Sequence, residues 1–318
     1  MVDIAEVDFT IVILGSLELR MYAKGGTNGS PTEFPLQVLQ LAGKQERFRT
    51  MCELFAMSAS TPQRVRYELD SFARQGGEAN RNRDGWGIYF AEERDGHLFR
   101  EAAPASDSEL AAMVVRREIP CRYLVAHVRR ATAGKPLLAN THPFSRVLHA
   151  RSCVFAHNGE LEGIEELAQG RELLPERIGD TDSELAFLML LARLRDCAAD
   201  DVAARFAVFN RFAAEMRELG TANFLFFDGV HLYAHADRRR YDLPDGLSEP
   251  REPGLNIASF GKGRKGNAWQ THGASIDAID PPMCLLASVP LDGNGWEPLK
   301  RGTTLLLRDG VVHSQNVS

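Results

Sequence analysis

The chain has 318 residues, of which 44% are hydrophobic and 25% charged, and its formal net charge is −6 at pH 7. This balance is typical of a globular protein with one large or two small domains, and it argues against sequence-independent binding to nucleic acid. No apolar run approaches the roughly 18–20 residues that a membrane-spanning helix requires, so no membrane partner is expected. The five cysteines are scattered without a CxxC pair, which favours a reducing, cytoplasmic setting over a disulfide framework or zinc ribbon.

Residues 1–51 form an extension that differs from the rest of the chain. An apolar stretch at 10–14 is followed by a turn-rich segment at 24–31, and the acidic first residues do not match a secretory signal. Three explanations are open: a mis-assigned start site, a removable leader or a regulatory extension. We favour the first, because Met51 begins a segment typical of a genuine N-terminus. We therefore expect the extension to lack a packed core and to contact the domain at 52–318 little.

Strand and helix patterns alternate in the first half of that domain. Strands are predicted at 86–91 and 97–100, joined by a hairpin turn at 94–96. Ser106 and Glu109 have the spacing of a capping box, which predicts a helix running toward Arg117. Two more strands are predicted at 121–128 and 152–156.

The second half begins with another capping box and contains the longest helices. Thr181 and Glu184 precede a predicted helix at 185–194, and a second helix is predicted at 202–219. Strands are expected at 223–227, 231–236, 283–289 and 303–308, whereas the Pro-, Gly- and Arg-rich stretch 237–282 is predicted to be mostly loop. Because hairpins imply antiparallel sheets, the pattern predicts an α+β fold.

Cys52 is the first candidate for chemistry. If translation starts at Met51 and the methionine is removed, Cys52 carries both a thiol and a free α-amine. An α-amine has a pKa near 8, so it can act as a general base close to neutral pH. One residue would then supply nucleophile and base. Taken alone, the segment is better explained by a buried apolar cysteine, the commonest state of a free cysteine.

The segment 127–132 is the second candidate, because it contains Arg129 and Arg130, and arginine offers a planar fork suited to binding a carboxylate. A solvated surface arginine is the commoner explanation.

The third candidate joins the turn from Asn140 to His142 with His157-Asn158-Gly159. An Asn–Gly pair after a strand is usually a turn, but an asparagine amide and a glycine N–H also suit an oxyanion hole.

A metal site built from His149, Cys153 and His157 is a rival interpretation of the same segment. In a strand, residues four apart are separated by roughly 13 Å, which is too far for one zinc ion. We therefore expect no metal. The fourth candidate is the acidic turn 179–184, where helix capping explains Thr181 and Glu184 but not the two further carboxylates, Asp180 and Asp182. A carboxylate there could receive a substrate ammonium group, although the helix N-terminus itself favours anions.

Taken in order, these segments resemble the class II glutamine amidotransferases, which use an N-terminal nucleophile. The likeness covers 52–318 and is to the domain at the front of glucosamine-6-phosphate synthase and to short stand-alone bacterial members that begin Met-Cys-Glu-Leu. The extension departs from this pattern, since it places the required amine in a peptide bond. The resemblance rests on six ordered motifs: Met51-Cys-Glu-Leu, Asp84-Gly-Trp-Gly87, His127-x-Arg129-x-Ala-Thr132, Asn140-x-His-Pro143, His157-Asn-Gly159 and Thr181-Asp-Ser-Glu184.

The resemblance implies a four-layer αββα sandwich with two stacked antiparallel sheets, and it needs no cofactor. It makes Cys52 the nucleophile and gives Asn158 and the Gly159 N–H the oxyanion hole. The substrate α-carboxylate would be bound by Arg129, and its α-ammonium by Asp182. The same end of the substrate would be shaped by two further residues, Thr132 and His142.

The fate of the released amine is left open by the sequence. The domain occupies nearly all of the chain after Met51, so ammonia from glutamine would pass to a separate synthase. Alternatively the substrate is another γ-glutamyl amide, as in related proteins of ergothioneine biosynthesis. A third alternative is a catalytically silent binding subunit, if the extension is retained. Basic stretches at 237–240 and 262–265 are expected to be solvated or to dock an acidic partner.

Overall fold

A computed structural model describes residues 9–14, 18–23, 49–50, 53–67, 84–129, 135–169, 173–243, 246–261, 269–270, 274–276, 282–290 and 295–318. The chain divides into two compact units, Met1–Arg47 and Phe48–Ser318. In the first unit, β1 (Phe9–Leu14) and β2 (Glu18–Ala23) form an antiparallel hairpin. Whether residues 1–51 are a separate leader stays a prediction.

The second unit contains the remaining strands and all helices among the described residues. Its strands are β3 (Arg49–Thr50), β4 (Glu53–Gln63), β5 (Arg66–Tyr67), β6 (Trp86–Glu92), β7 (Asp95–Glu101), β8 (Cys121–Val128), β9 (Phe144–Leu148), β10 (Arg151–Leu161), β11 (Gly220–Phe227), β12 (Leu232–His235), β13 (Tyr241–Leu243), β14 (Gly246–Leu247), β15 (Asn256–Phe260), β16 (Trp269–Gln270), β17 (Ala274–Ile276), β18 (Met283–Ala287), β19 (Trp296–Pro298), β20 (Thr303–Arg308) and β21 (Val311–Val317). Its helices are α1 (Glu109–Arg117), α2 (Ile164–Gln169), α3 (Asp182–Leu194) and α4 (Val202–Leu219).

Two antiparallel sheets dominate this unit. Across the described residues, the first sheet has the strand order β19-β15-β18-β4-β8-β6-β7 and the second has the order β21-β20-β12-β11-β10-β9. Two smaller sheets have the orders β14-β13-β3 and β16-β17-β5. In the β14-β13-β3 sheet, Thr50 of the extension is the partner of Tyr241.

The alternation of side chains along the strands builds the layers. Leu54 on β4 and Val154 on β10 belong to one buried cluster between the two sheets, whereas Phe55 and Phe155 point to the outer faces. Helix α1 covers the outer face of the first sheet, and α3 and α4 cover the outer face of the second. The protein is therefore the four-layer αββα sandwich with two stacked antiparallel sheets that was expected.

Helix capping follows the sequence closely at α3 and less closely at α1. The Thr181 hydroxyl accepts a hydrogen bond from Glu184 N–H at 3.3 Å, as a cap should. Helix α1 is capped by Ser108, whose Oγ accepts from Ala111 N–H at 2.9 Å. The prediction of Ser106 as the cap is wrong, because Ser106 lies in a short 3-10 turn and Ser108 immediately precedes the helix.

Two strand predictions need correction. The stretch 237–282 was expected to be mostly loop, yet it contains β15, which pairs with β18 inside the first sheet. Four of the five residues of β15 are buried, so the strand leaves only a short apolar signal between Pro and Gly residues. The strand predicted at 152–156 continues to Leu161. Its polar second half pairs with β11, which supplies the hydrogen-bonding partner that the sequence alone does not identify.

Candidate active site

Several central strands begin or end at one end of the sandwich, which we call the site end. Here β4 and β11 begin, and β8, β10 and β18 end, as their antiparallel pairings require. The opposite end, where β11 terminates, is called the far end. The polar residues singled out from the sequence follow or close the strands at the site end.

Asn158 lies near the end of β10 and reaches toward the first sheet. Its Nδ2 is 3.4 Å from the Oγ of Ser288, which directly follows β18. The same Oγ accepts a hydrogen bond from Leu54 N–H at 3.0 Å, and Ser288 N–H donates to the Leu54 carbonyl at 3.0 Å. Ser288 thus joins Asn158 to the strand that begins one residue after Cys52.

Gly159 occupies a position that admits no side chain. A Cβ added there would lie 1.8 Å from the carbonyl oxygen of Thr221 and 2.6 Å from Nε2 of His157. Both distances are far below van der Waals contact. Glycine therefore allows the end of β10 to approach the beginning of β11.

Asn223 on β11 fixes the backbone of Asn158 from behind. Its Nδ2 donates to the carbonyl oxygens of Asn158 at 3.0 Å and Arg238 at 2.9 Å. Its Oδ1 accepts from Asp237 N–H at 2.8 Å. The Asp237 carboxylate in turn accepts from Ala222 N–H at 3.1 Å. Asn158, Ala222, Asn223 and Asp237 are buried and Arg238 is half-buried, so the network holds the peptide that carries Asn158 in one position.

His157 connects β10 to the start of α3. Its Nε2 lies 3.1 Å from the carbonyl oxygen of Thr221, and its Nδ1 lies 2.9 Å from Ser183 Oγ. Burial lowers the pKa of His157, although the Asp182 carboxylate opposes this shift. Since a carbonyl only accepts, Nε2 of His157 carries a proton and donates to Thr221. The Ser183 hydroxyl also donates to Asp182 Oδ1 at 3.1 Å.

Asp182 is the first residue of α3 and remains half-buried. Its Oδ2 accepts from Leu161 N–H at 2.8 Å, and its Oδ1 accepts from Ser183 N–H at 2.7 Å. The helix N-terminus stabilises its negative charge. Asp182 is therefore a carboxylate fixed to the last residue of β10, two residues beyond Gly159.

Arg129 follows β8 directly and is buried. Its backbone N–H donates to the Gly85 carbonyl at 2.8 Å, and its Nη1 donates to the Lys135 carbonyl at 3.2 Å. These bonds fix the position of a buried cation at the site end, where a guanidinium can bind a carboxylate through parallel hydrogen bonds.

His127 and His142 are packed against each other with ring centroids 4.4 Å apart. Both rings are buried, and neither ring has a hydrogen-bond partner for its nitrogens among the described residues. Burial, together with the charge of Arg129, lowers the pKa of His127 to about 3, and burial lowers that of His142 well below its usual value. Two neutral imidazoles therefore lie beside a cation with their polar atoms unused.

The turn that carries His142 is fixed to the start of α3 through Asn140. The Asn140 side chain donates to the Lys135 carbonyl at 3.0 Å and accepts from Asp180 N–H at 2.9 Å. A Cβ on Gly87 would lie 2.2 Å from the carbonyl oxygen of His142, so a glycine in β6 lets this turn pack against the first sheet.

The described part of the chain offers no group of three or more His, Cys, Asp or Glu side chains arranged to hold a metal ion. Within the same residues, no helix is long and apolar enough to cross a membrane. Cys153, a member of the rival metal set, is buried in the core beneath α3.

A sequence model of the class II glutamine amidotransferases matches residues 51–318. The chain belongs to the class II glutamine amidotransferase family. The match begins at Met51, where the sequence analysis divided the chain.

Relatives of this family member include YafJ of Escherichia coli, whose name assigns it provisionally to the glutamine amidotransferases. The two are 36% identical over 188 residues, which cover 58% of this chain and 72% of YafJ. An uncharacterised Methanocaldococcus jannaschii protein, MJ1515, is 27% identical over 84% of this chain and 72% of its own.

Solved structures agree with this assignment. A predicted glutamine amidotransferase from Pseudomonas aeruginosa superposes with a TM-score of 0.60 at 27% identity, over 83% of this chain and all of that one. The glutamine phosphoribosylpyrophosphate amidotransferase of B. subtilis shares the fold, with a TM-score of 0.51 at 14% identity over 84% of this chain and 49% of that one.

Five of the seven site residues predicted from the family resemblance fall within described regions. The contacts above bring Asn158, Gly159 and Asp182 together along the end of β10, and they place Arg129 and His142 around His127. Cys52 and Thr132 lie outside the described residues. Sequence reasoning missed Asn223 and gave no role to Ser288. An isolated asparagine in the apolar run of β11 was the available signal for the former.

Proposed function

We propose that this amidotransferase-family protein is an enzyme that hydrolyses glutamine through a γ-glutamyl thioester on Cys52. The observation that carries the proposal is the Ser288 hydroxyl, which links the Asn158 amide to the start of β4. Asn158, its neighbour Gly159 and Leu54, which is two residues after the proposed nucleophile Cys52, therefore lie at one end of the sandwich, as the proposed chemistry requires.

The reaction begins when Cys52, freed of preceding residues, transfers its thiol proton to its own α-amine through a water molecule. The thiolate attacks the side-chain amide carbon, and the new oxyanion accepts hydrogen bonds from Asn158 Nδ2 and Gly159 N–H. The C–N bond then breaks, and the nitrogen leaves as ammonia with the proton held by the α-ammonium. Water hydrolyses the thioester to glutamate and regenerates the thiol.

Substrate recognition uses the charges at the two ends of an amino acid. Arg129 binds the α-carboxylate, with Thr132 and His142 shaping that end, and Asp182 pairs with the α-ammonium. The fixed positions of Arg129 and Asp182 support these roles, since preorganised charges lose little conformational entropy on binding.

Three alternatives from the sequence analysis give different products or none. The ammonia can pass to a separate synthase, the substrate can be another γ-glutamyl amide, or the full chain can be a silent subunit because an extension blocks the amine of Cys52. A cytoplasmic setting is proposed on the free cysteines Cys121, Cys153, Cys197 and Cys284.

The test is intact mass spectrometry of the full chain and of the chain expressed from Met51, before and after incubation with diazo-oxo-norleucine. We expect the shorter chain to lose its methionine, to gain one adduct at Cys52 and to release glutamate from glutamine. Cys52→Ala should abolish both adduct and turnover while leaving the circular dichroism spectrum unchanged. Wild-type turnover in Cys52→Ala would remove Cys52 as the nucleophile.

A matched control is Cys197→Ala, which removes a half-buried free thiol elsewhere. It should keep both adduct and turnover. Burial raises the pKa of the Cys153 thiol to about 12, so this cysteine should not react. A retained methionine with no adduct would favour the silent subunit.

A further inference from the structure

Arg239 lies in the basic stretch after β12, which the proposed function does not use. Only 4% of its surface is exposed, and its Nε and Nη1 have no hydrogen-bond partner among the described residues. Its guanidinium carbon lies 4.4 Å from the centroid of the Tyr241 ring. Burying a cation without an acceptor is costly.

A second guanidinium lies at the same ring. The Cζ of Arg251 is 4.8 Å from the centroid of Tyr241. The two arginines are also linked by their backbones, since Arg239 N–H donates to the Arg251 carbonyl at 3.0 Å and Arg251 N–H returns a bond at 2.9 Å. The ring is fixed because the Tyr241 hydroxyl donates to the Pro253 carbonyl at 2.8 Å.

Asp237 and Glu252, which are close to the two arginines in sequence, both bond to Arg301. Asp237 accepts from Arg301 Nε at 2.9 Å, and Glu252 accepts from Arg301 N–H at 3.2 Å. Buried Arg205 is a useful contrast, because its Nε and Nη2 both bond to Asp228 at 3.2 and 3.1 Å. Arg239 is also a buried arginine, but among the described residues no carboxylate bonds to it.

The position of Arg239 relates it to the candidate active site. The carbonyl of its neighbour Arg238 accepts from the same Asn223 amide that bonds the Asn158 carbonyl. Tyr241 pairs with Thr50, which precedes Cys52 by two residues in the sequence. Both links place the arginine pair at the site end, where the proposed oxyanion residue also lies.

We propose that Arg239, stacked on Tyr241 and supported by Arg251, binds an anionic group carried by the amine part of the substrate. This inference rests on the proposed function and refines it: the preferred substrate is a γ-glutamyl amide of an acidic amine, not glutamine. The Cys52 thiolate attacks the γ-carbonyl, the C–N bond breaks, and the amine leaves with the proton of the α-ammonium. Its carboxylate stays paired with Arg239 until release.

The experiment measures kcat/KM for a ladder of substrates in the preparation that hydrolyses glutamine. The ladder consists of γ-glutamylglycine, γ-glutamyl-β-alanine and γ-glutamyl-4-aminobutyrate, each beside the matching neutral carboxamide. At the spacer length that reaches Arg239, the acid should exceed its carboxamide roughly 10- to 100-fold, the range of a charge-assisted hydrogen bond. A cationic γ-glutamyl diamine should be the poorest substrate.

Variants assign the preference to the arginine. Arg239→Gln should bring the acid-to-carboxamide ratio down toward one, and Arg239→Lys should keep part of it, since it retains charge but not the planar stack. Arg240→Gln is the matched control, because its Nη1 lies 3.4 Å from the Ser248 carbonyl, and it should keep the wild-type ratio.

The outcomes separate the two proposals. Ratios near one at every spacer length, in protein that hydrolyses glutamine, would overturn the anion site and leave the glutaminase intact. An unchanged ratio in Arg239→Gln would also overturn it. If neither glutamine nor any ladder member is hydrolysed, both proposals fail. The acid-to-carboxamide ratios of the wild-type protein test the anion site even if Arg239→Gln does not fold.

Discussion

The two ends of the sandwich both bury polar side chains, but they use them differently. At the far end, the Asp228 carboxylate accepts five hydrogen bonds, from Arg205 Nε and Nη2, the Tyr233 hydroxyl, and the N–H groups of Val230 and His231. Burial alone would raise the pKa of Asp228, but the side chain and backbone N–H of His231 and the charge of Arg205 hold it at about 2. Its acceptors are used within the protein.

At the site end, donors and acceptors remain unused. The ring nitrogens of His127 and His142 and two guanidinium nitrogens of Arg239 have no partner among the described residues. At the far end Arg205 Nη1 also has no hydrogen-bond partner among the described residues, but both oxygens of the Asp228 carboxylate accept hydrogen bonds. The contrast suggests that polar burial stabilises the fold at one end and prepares for a ligand at the other.

The largest expected effect is a loss of stability when the far-end cluster is disrupted. Asp228→Ala leaves the buried Arg205 without its counter-charge, which should lower the free energy of unfolding by about 3–5 kcal/mol. Urea denaturation followed by circular dichroism measures this. Glutamine turnover per folded molecule should survive at low temperature. A loss below about 1 kcal/mol would contradict the view of this cluster as structural.

At the site end, Asn158→Ala should have the reverse effect. Removing an oxyanion donor is expected to reduce kcat for glutamine by about 10²–10³-fold, with a small change in unfolding free energy. Asn316→Ala, on the exposed edge strand β21, is the control and should retain kcat. A kcat close to wild type in Asn158→Ala would exclude its amide from the oxyanion hole.

Ser288→Ala should show a smaller, selective loss. Removing the hydroxyl takes away the acceptor of two hydrogen bonds, from Asn158 Nδ2 and from Leu54 N–H, so kcat should fall roughly tenfold while KM changes little. Ser259→Ala, at an exposed position on β15, is the control and should leave both kcat and KM unchanged. Equal changes in kcat and KM would indicate a general loosening of the site.

Lowering the pH should reduce the stability contributed by the two ends over different pH ranges. The folded pKa of His127, about 3, lies below its ordinary 6.5, so protonation favours the unfolded chain and stability is lost as pH falls from 6.5. The Asp228 pKa, lowered from 3.8 to about 2, contributes stability above 3.8 that is lost only below it. His127→Gln should therefore make the unfolding free energy fall less steeply between pH 6.5 and 4, where His142 still contributes, and Asp228→Asn should make it fall less steeply below 4.

Local signals predicted much of the fold. The strand Cys121–Val128 and the helix Val202–Leu219 have the predicted bounds, because alternation and periodicity are properties of neighbouring residues. The polar end of β10 was missed, since its partners on β11 lie more than sixty residues away in sequence. The site was predicted by motif order, but the connection from Asn158 through Ser288 to Leu54 depends on pairings that no local pattern contains.

Gly159 and Asn158 lie inside the β10–β11 ladder rather than in a loop. A loop opens without disturbing the molecule, whereas these residues can separate only if a central strand pair comes apart. In native-state hydrogen exchange, the amides of this ladder should therefore exchange among the slowest, through near-global opening. Binding of substrate should change their protection little. Any slow conformational step in turnover would then belong to other segments, and the oxyanion pair would be ready before the substrate arrives.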